Sequence, residues 1–156
     1  MKALVTGASS GIGYSIARYL SRIGYDLIVV ARRRDCLNNL MNECSTDVKI
    51  IDMDLSIISN MYKLHEMTEN ENIDILVNNA GIAYGATFQM TSIEKMKEVF
   101  EVNFFSQIYS MQLVSRHMMK QKRGSIINMA SVGGIETNPG YLAYGSSKAA
   151  LIWATK

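Results

Sequence analysis

The placement of apolar residues constrains this chain more than any other feature. Five short runs are apolar at nearly every position rather than at alternate ones: Lys2–Thr6 (KALVT), Asp26–Ala31 (DLIVVA), Val48–Met53 (VKIIDM), Asp74–Asn78 (DILVN) and Gly124–Ala130 (GSIINMA). A strand with one wet face alternates apolar with polar residues, whereas a strand covered on both faces does not. Between these runs the spacing is helical. In Ile12–Ile23 the residues Ile12, Ile16, Ala17, Leu20 and Ile23 share one face. Asp35–Cys44, Ser56–Asn70 and Thr91–Lys122 read as helices, and a last helix starts near Gly140 and runs to the end. Ser56 stands where a cap belongs, and Thr91 with Glu94 matches a capping box. Strict alternation of buried strands with helices predicts an α/β fold with a doubly wound parallel sheet.

Composition narrows the function classes. At 156 residues the chain is one domain, 1–156, with enough length for a real core. A net charge of +2 is too small to suggest nucleic acid or an anionic membrane as partner. No apolar run approaches the length that spans a bilayer, and MKALVTG is too short an apolar start for a signal peptide, so the cytoplasm is the expected location. Cys36 and Cys44 lie about 12 Å apart along a helix, too far to bridge, and read as free thiols in a reducing compartment. With no CxxC pair and with His65 and His117 isolated, no metal site is expected.

The junction between the first strand and the first helix reads TGASSGIG, Thr6–Gly13. Glycines at 7, 11 and 13 allow a tight turn, close backbone approach and close helix packing, with Ser9, Ser10 and Ile12 between them. A helix that starts there offers free N–H groups and the positive end of its dipole to a phosphate. This is the pattern of a Rossmann-type dinucleotide site, although the first two glycines are four apart rather than two. Where an NAD enzyme usually carries an acid for the ribose 2′-hydroxyl, this chain has Ala31 followed by Arg32 and Arg33. An arginine fork suits a 2′-phosphate. NADP(H) is therefore the preferred cofactor, with Arg32 as main contact, Arg33 as second, and NAD(H) kept open.

With this glycine spacing the loop resembles that of the short-chain dehydrogenase/reductase family, and further motifs support the likeness. Asp54-Leu55 follows the third strand, Asn78-Asn79-Ala80-Gly81 (NNAG) follows the fourth, and Tyr144-Gly-Ser-Ser-Lys148 stands in the last helix. Tyr144 and Lys148 are an i,i+4 pair on one helix face. Bringing a phenol from about 10 to about 7 takes roughly 4 kcal/mol, within reach of a shielded ammonium and an oxidised nicotinamide. Ser131 closes the fifth strand at the sheet edge where ligands of such folds bind. Asn103 interrupts a long helix in which it is a poor helix former. The resemblance implies that Asp54 hydrogen-bonds the adenine and that Leu55, Asn79, Ala80 and Gly81 line the cofactor. It further implies Tyr144 as general acid/base, Lys148 as its pKa tuner and nicotinamide-ribose ligand, Ser131 as the group that orients the carbonyl or alcohol, and Asn103 as support for a proton relay.

The implied activity is NADP(H)-dependent interconversion of a carbonyl and a secondary alcohol, of the 3-oxoacyl reductase or general carbonyl reductase kind. The expected partners are a small-molecule carbonyl or alcohol substrate and further copies of the chain, as a dimer or tetramer. Ile82–Met90 and Val132–Leu142 are expected to flank the substrate, and their weak polarity suits a compound of modest polarity. Family members usually continue well beyond this length. The expectation is thus a fold without the family's last strands and substrate loop, an open edge at the fifth strand, part-covered apolar residues in Leu142–Ala154 including Trp153, and weak or no turnover. The alternatives are an inactive nucleotide-binding fragment, a non-enzymatic regulatory module of the same fold, or an epimerase or dehydratase of the extended relatives.

Overall fold

A computed structural model describes residues 1–156. The strands are β1 (Lys2–Thr6), β2 (Asp26–Ala31), β3 (Val48–Asp52), β4 (Ile75–Asn78) and β5 (Ser125–Asn128). The helices are α1 (Gly11–Arg22), α2 (Arg34–Asn42), α3 (Ile58–Thr68), α4 (Ile93–Phe100), α5 (Ser106–Gln121) and α6 (Leu142–Ala154). All strand pairs are parallel and the sheet order is β3-β2-β1-β4-β5. The chain steps outward from β1 to β3 on one side and then restarts at β4 on the other. This reversal opens a crevice at the carboxyl ends of β1 and β4, where doubly wound sheets bind ligands.

The unbroken apolar runs follow from the pleat. Leu4, Ile28, Val30, Ile51 and Leu76 point to one face and pack with Met61 and Leu64 of α3 and Leu113, Val114 and Met118 of α5. Ala3, Val5, Leu27, Val29 and Val77 point to the other and pack with Ala17 and Leu20 of α1 and Leu37 and Leu40 of α2. Neighbouring positions on a strand thus enter different cores, and both must be apolar. The edge strand β5 pairs with β4 alone, and its Ile127 is 46% exposed. Trp153 on α6 is 79% exposed.

Several local expectations change. Ile12 and Ile23 are exposed, so the buried stripe of α1 is narrower than the sequence spacing implies. Ser56 does not cap α3, because its N–H and hydroxyl both donate to Asp54 Oδ1, at 2.9 and 2.8 Å. The cap of α4 is Ser92, whose Oγ accepts from Lys95 N at 3.2 Å, rather than Thr91. The long helix expected over Thr91–Lys122 is broken by a π-helical turn at Glu101–Phe105.

At the opposite end of the sheet from the crevice, Glu71 accepts from the ammonium groups of Lys2 on β1 and Lys49 on β3. The Lys2 bond, then the Lys49 bond, holds its carboxyl below the ordinary 4.5. A depressed carboxyl stabilises the fold above its unfolded pKa, and that contribution is lost as pH falls through the folded value. Glu71→Gln is expected to lose about 1 kcal/mol at neutral pH, with the difference from the unmodified chain closing as pH falls through the depressed folded value. Urea unfolding at a series of pH values checks this.

Candidate active site

The crevice is built from the joint between the glycine loop and the segment after β4. Thr6 Oγ1, at the end of β1, accepts from the N–H groups of Asn79 and Ala80, each at 3.1 Å. Asn79 Nδ2 returns to the carbonyls of Thr6 and Gly7, both at 3.1 Å. These bonds draw the two backbones together. Gly7 has φ +67°, and a Cβ there would stand 2.8 Å from Ala80 Cα. A Cβ on Gly13 would strike the Asn79 amide and come within 2.6 Å of Gly7 O. The N-cap of α1, Ser10, makes no side-chain bond to the helix. Its hydroxyl instead accepts from Arg33 Nη2 at 2.7 Å, and Ser9 Oγ accepts from the same nitrogen at 3.1 Å. The first N–H groups of α1 therefore face the crevice without a protein cap.

The resulting cleft has a volume of about 490 Å³. Gly7, Ser9, Ser10, Ile12, Arg32, Arg33, Asp54, Leu55, Asn79, Ala80 and Gly81 line it, as the sequence suggested. Gly11, Gly13, Tyr144 and Lys148, also expected at the cofactor, do not; the two glycines shape the turn and the packing beneath it. Val30, Ala31, Met53, Ser56, Ile82, Glu98 and Val102 line it as well. Ile82, expected beside the substrate, thus belongs to this cleft. Glu98 and Val102 come from the helix across the crevice, and no local signal in the sequence marks them. Arg32 Nη1 lies 3.9 Å from Asp54 Oδ2 with its side chain 69% exposed, while Arg33 is tied into the glycine loop. Burial opposes charge on Asp54, but the two Ser56 bonds and Arg32 outweigh it and hold the carboxyl below its usual range.

The chemistry-bearing side chains converge beyond the far wall. The π turn brings Asn103 into the interior, 0% exposed. A π turn widens the helix by one residue, which re-aims a side chain without ending the element. Asn103 Oδ1 accepts from Ile82 N at 2.8 Å, and Nδ2 donates to Ile82 O at 2.9 Å and to Ser147 Oγ at 3.1 Å. Ser147 Oγ donates to Tyr144 O at 2.7 Å. Lys148 is 4% exposed and donates to Met129 O at 2.6 Å. Burial pushes its ammonium pKa below the ordinary 10.5. A Cβ on Gly81 would lie 3.3 Å from Asn103 Oδ1 and 3.7 Å from Lys148 Nζ, so these groups meet at one point of the cleft wall. Ser131 Oγ accepts from Gly133 N at 3.2 Å. A Cβ on Gly133 would stand 3.5 Å from Ser131 Oγ and 3.6 Å from the Tyr144 ring, which places serine and tyrosine together beside this glycine. All four expected catalytic residues are therefore gathered at the carboxyl end of the sheet.

A second cleft of about 480 Å³ adjoins this group through Gly133. It is lined by Phe88, the Gly133–Leu142 loop and Gly145, Ser146 and Ala149 of α6, and its one charged residue is Glu136. Ala86 N donates to Gly140 O at 2.7 Å and ties the loop after β4 to this loop.

Comparison with known proteins agrees with this geometry. The model of the short chain dehydrogenase family matches residues 1–156. The chain belongs to the short-chain dehydrogenase family. It is 34% identical over 151 residues to an uncharacterized oxidoreductase of Staphylococcus epidermidis, covering 96% of this chain and 66% of that protein. It is 35% identical over 163 residues to a very-long-chain 3-oxoacyl-CoA reductase of Coccidioides immitis, covering 98% of this chain and 47% of that protein. The structure superposes with a TM-score of 0.91 on a short-chain dehydrogenase from Sphingobium yanoikuyae in complex with NADPH, at 30% identity over 98% of this chain and 62% of the other. The chain thus spans between about half and two thirds of the length of these relatives.

Because Gly13 meets main chain and a fixed amide rather than a flexible side-chain end, its neighbours cannot yield freely. Gly13→Ala is expected to cost about 2 kcal/mol, the range of core overpacking, in equilibrium urea unfolding.

Proposed function

We propose that this chain carries the nucleotide-binding and catalytic groups of an NADP(H)-dependent oxidoreductase that interconverts a carbonyl and a secondary alcohol. The observation that carries this is the meeting of Ser131 and Tyr144 at Gly133, and of Lys148 and Asn103 at Gly81, beside an uncapped helix N-terminus. The glycine loop fits a dinucleotide: without a Cβ at Gly7 and Gly13 it packs directly on Asn79 and Ala80, and the cleft lined by Gly7 continues through Asp54 to Gly81. The first N–H groups of α1 would hold the pyrophosphate. Arg32 and Arg33 would hold a 2′-phosphate, Asp54 the adenine, and Lys148 the nicotinamide ribose. A bound reduced nicotinamide supplies the hydride.

The chain's own groups manage the proton. Tyr144 donates its phenolic proton to the substrate oxygen in reduction and recovers it in oxidation. Ser131 Oγ–H holds that oxygen in line and shares its developing charge. The Lys148 ammonium favours the phenolate, and it acts strongly because it is buried rather than screened by water. Asn103 fixes the Ile82 main chain and, through Ser147, the turn of α6 that carries Tyr144.

In the second cleft the lone Glu136 disfavours anionic substrates and supports an uncharged ketone or thioester-linked acyl carbonyl. The 3-oxoacyl-CoA reductase among the relatives is consistent with the latter. We place the protein in the cytoplasm on its two unpaired cysteines. Exposed Ile93, Phe105 and Trp153 support a homo-oligomer.

Two outcomes are expected. Tyr144→Phe lowers carbonyl-dependent NADPH oxidation by at least about 100-fold while the NADPH Kd changes less than about twofold; retained turnover overturns the role of Tyr144. By calorimetry the chain binds NADPH more tightly than NADH, and Arg32→Ala and Arg33→Ala each remove about tenfold of that preference, the loss of a charge-assisted bond. Equal affinity for both nucleotides overturns the cofactor assignment.

A further inference from the structure

Gln107 has no part in the proposed mechanism, yet it is 1% exposed and lies one helical turn after Asn103. Its Nε2 donates to Ala80 O at 2.8 Å, and its main-chain carbonyl accepts from Asn78 Nδ2 at 3.2 Å. Asn103, four residues earlier, binds both main-chain groups of Ile82. Two amide side chains of one helical run therefore grip the backbone on either side of Gly81. From the opposite direction Thr6 Oγ1 holds the Asn79 and Ala80 N–H groups. This strip has no slack, since a Cβ on Gly81 would already lie 3.3 Å from Asn103 Oδ1.

Gln107 is a poor choice for stability alone. Its Oε1 is buried without a partner, as is Asn78 Oδ1 beside it. A buried acceptor left unpaired is costly, and an apolar side chain of the same volume has no such atom. What an apolar side chain cannot do is hold the Ala80 carbonyl. Ala80, Gly81 and Ile82 form one wall of the cleft, and Gly81 abuts the Lys148 ammonium.

We infer that Gln107 is a positioning residue for the nucleotide site. By fixing the Ala80 carbonyl it sets the Ala80–Ile82 strip at the height at which a dinucleotide contacts it and Lys148 stands behind it. It acts through Ala80 and touches neither cofactor nor substrate. The inference rests on the assignment of the cleft to a dinucleotide.

The test uses the full chain. Gln107→Met keeps the volume but removes both the donor and the orphan acceptor. The expected result is an unchanged or raised Tm, about tenfold faster amide hydrogen exchange in the 79–82 segment of the unliganded chain, and about tenfold weaker NADPH binding by calorimetry. A lowered Tm with unchanged local exchange and unchanged NADPH affinity shows a merely structural role and overturns the inference. Gln107→Glu gives a second readout. Its carboxyl, buried as the amide is and so raised above the usual carboxylate range, donates to Ala80 O only when protonated; the NADP⁺ affinity of the variant relative to the unmodified chain should therefore fall in a step as pH rises, a ratio from which the titration of the 2′-phosphate itself cancels. No such step overturns the inference. If the unmodified chain binds neither nucleotide, the cleft assignment itself falls and takes this role with it. Unchanged exchange in Gln107→Met with normal binding removes only the role of Gln107.

Discussion

The structure depends on the joint at Thr6. This threonine ends β1 at the point where the chain reverses its direction across the sheet, and its hydroxyl accepts from two successive N–H groups after β4. Without that oxygen the two donors would be buried unpaired at the crevice. With it, the glycine loop and the Asn79–Gly81 segment form one rigid rim. Asn79 completes the rim from the other side by donating to Thr6 and Gly7 carbonyls. The two backbones lie so close that neither Gly7 nor Gly13 has room for a side chain. The uncapped N–H groups at the start of α1 and the wall of the cleft are therefore positioned by the same few bonds.

The second organising element is the π turn at Glu101–Phe105. A regular helix would carry the following residues round by a different angle, and Asn103 would not meet Ile82 squarely. The widened turn aims Asn103 inward and leaves Gln107 to enter the same interior one turn later. Both amides satisfy main-chain groups of an irregular segment that no strand or helix could pair. The helical run that covers one face of the sheet thus also sets the geometry of the site. Ser147 links this arrangement to α6, so that one buried hydrogen-bond chain runs from the cleft wall to the turn bearing Tyr144.

Much of this was legible in the residues. The apolar runs specify strands because the pleat sends adjacent positions into two separate cores, and that pattern is local. TGASSGIG, NNAG and the Tyr144–Lys148 spacing are also local, and each lies where the sheet topology presents it to the crevice. Other features were not legible for equally physical reasons. The π turn is a matter of one extra residue in a hydrogen-bond ring, and composition does not report it. Ser92 rather than Thr91 caps α4 although only Thr91 matches the motif, because both adjacent residues carry a hydroxyl and the entry angle of the chain chooses between them. Ser56 stands at a capping position but is held by the Asp54 carboxylate, a competing acceptor two residues away. Glu98 and Val102 reach the cleft only because their helix lies across it.

The sequence by itself determined the class of fold and marked the glycine loop after β1, since periodicity and glycine freedom are properties of short stretches, and its resemblance to a family singled out the four side chains proposed for carbonyl chemistry. Tertiary structure alone decided how those groups meet. Lys148 is buried against Met129, Asn103 is turned onto Ile82, and Ser131 and Tyr144 both stand beside Gly133. Such proximities depend on sub-ångström fits between segments tens of residues apart, and no stretch of chain encodes them separately from the core that packs them together.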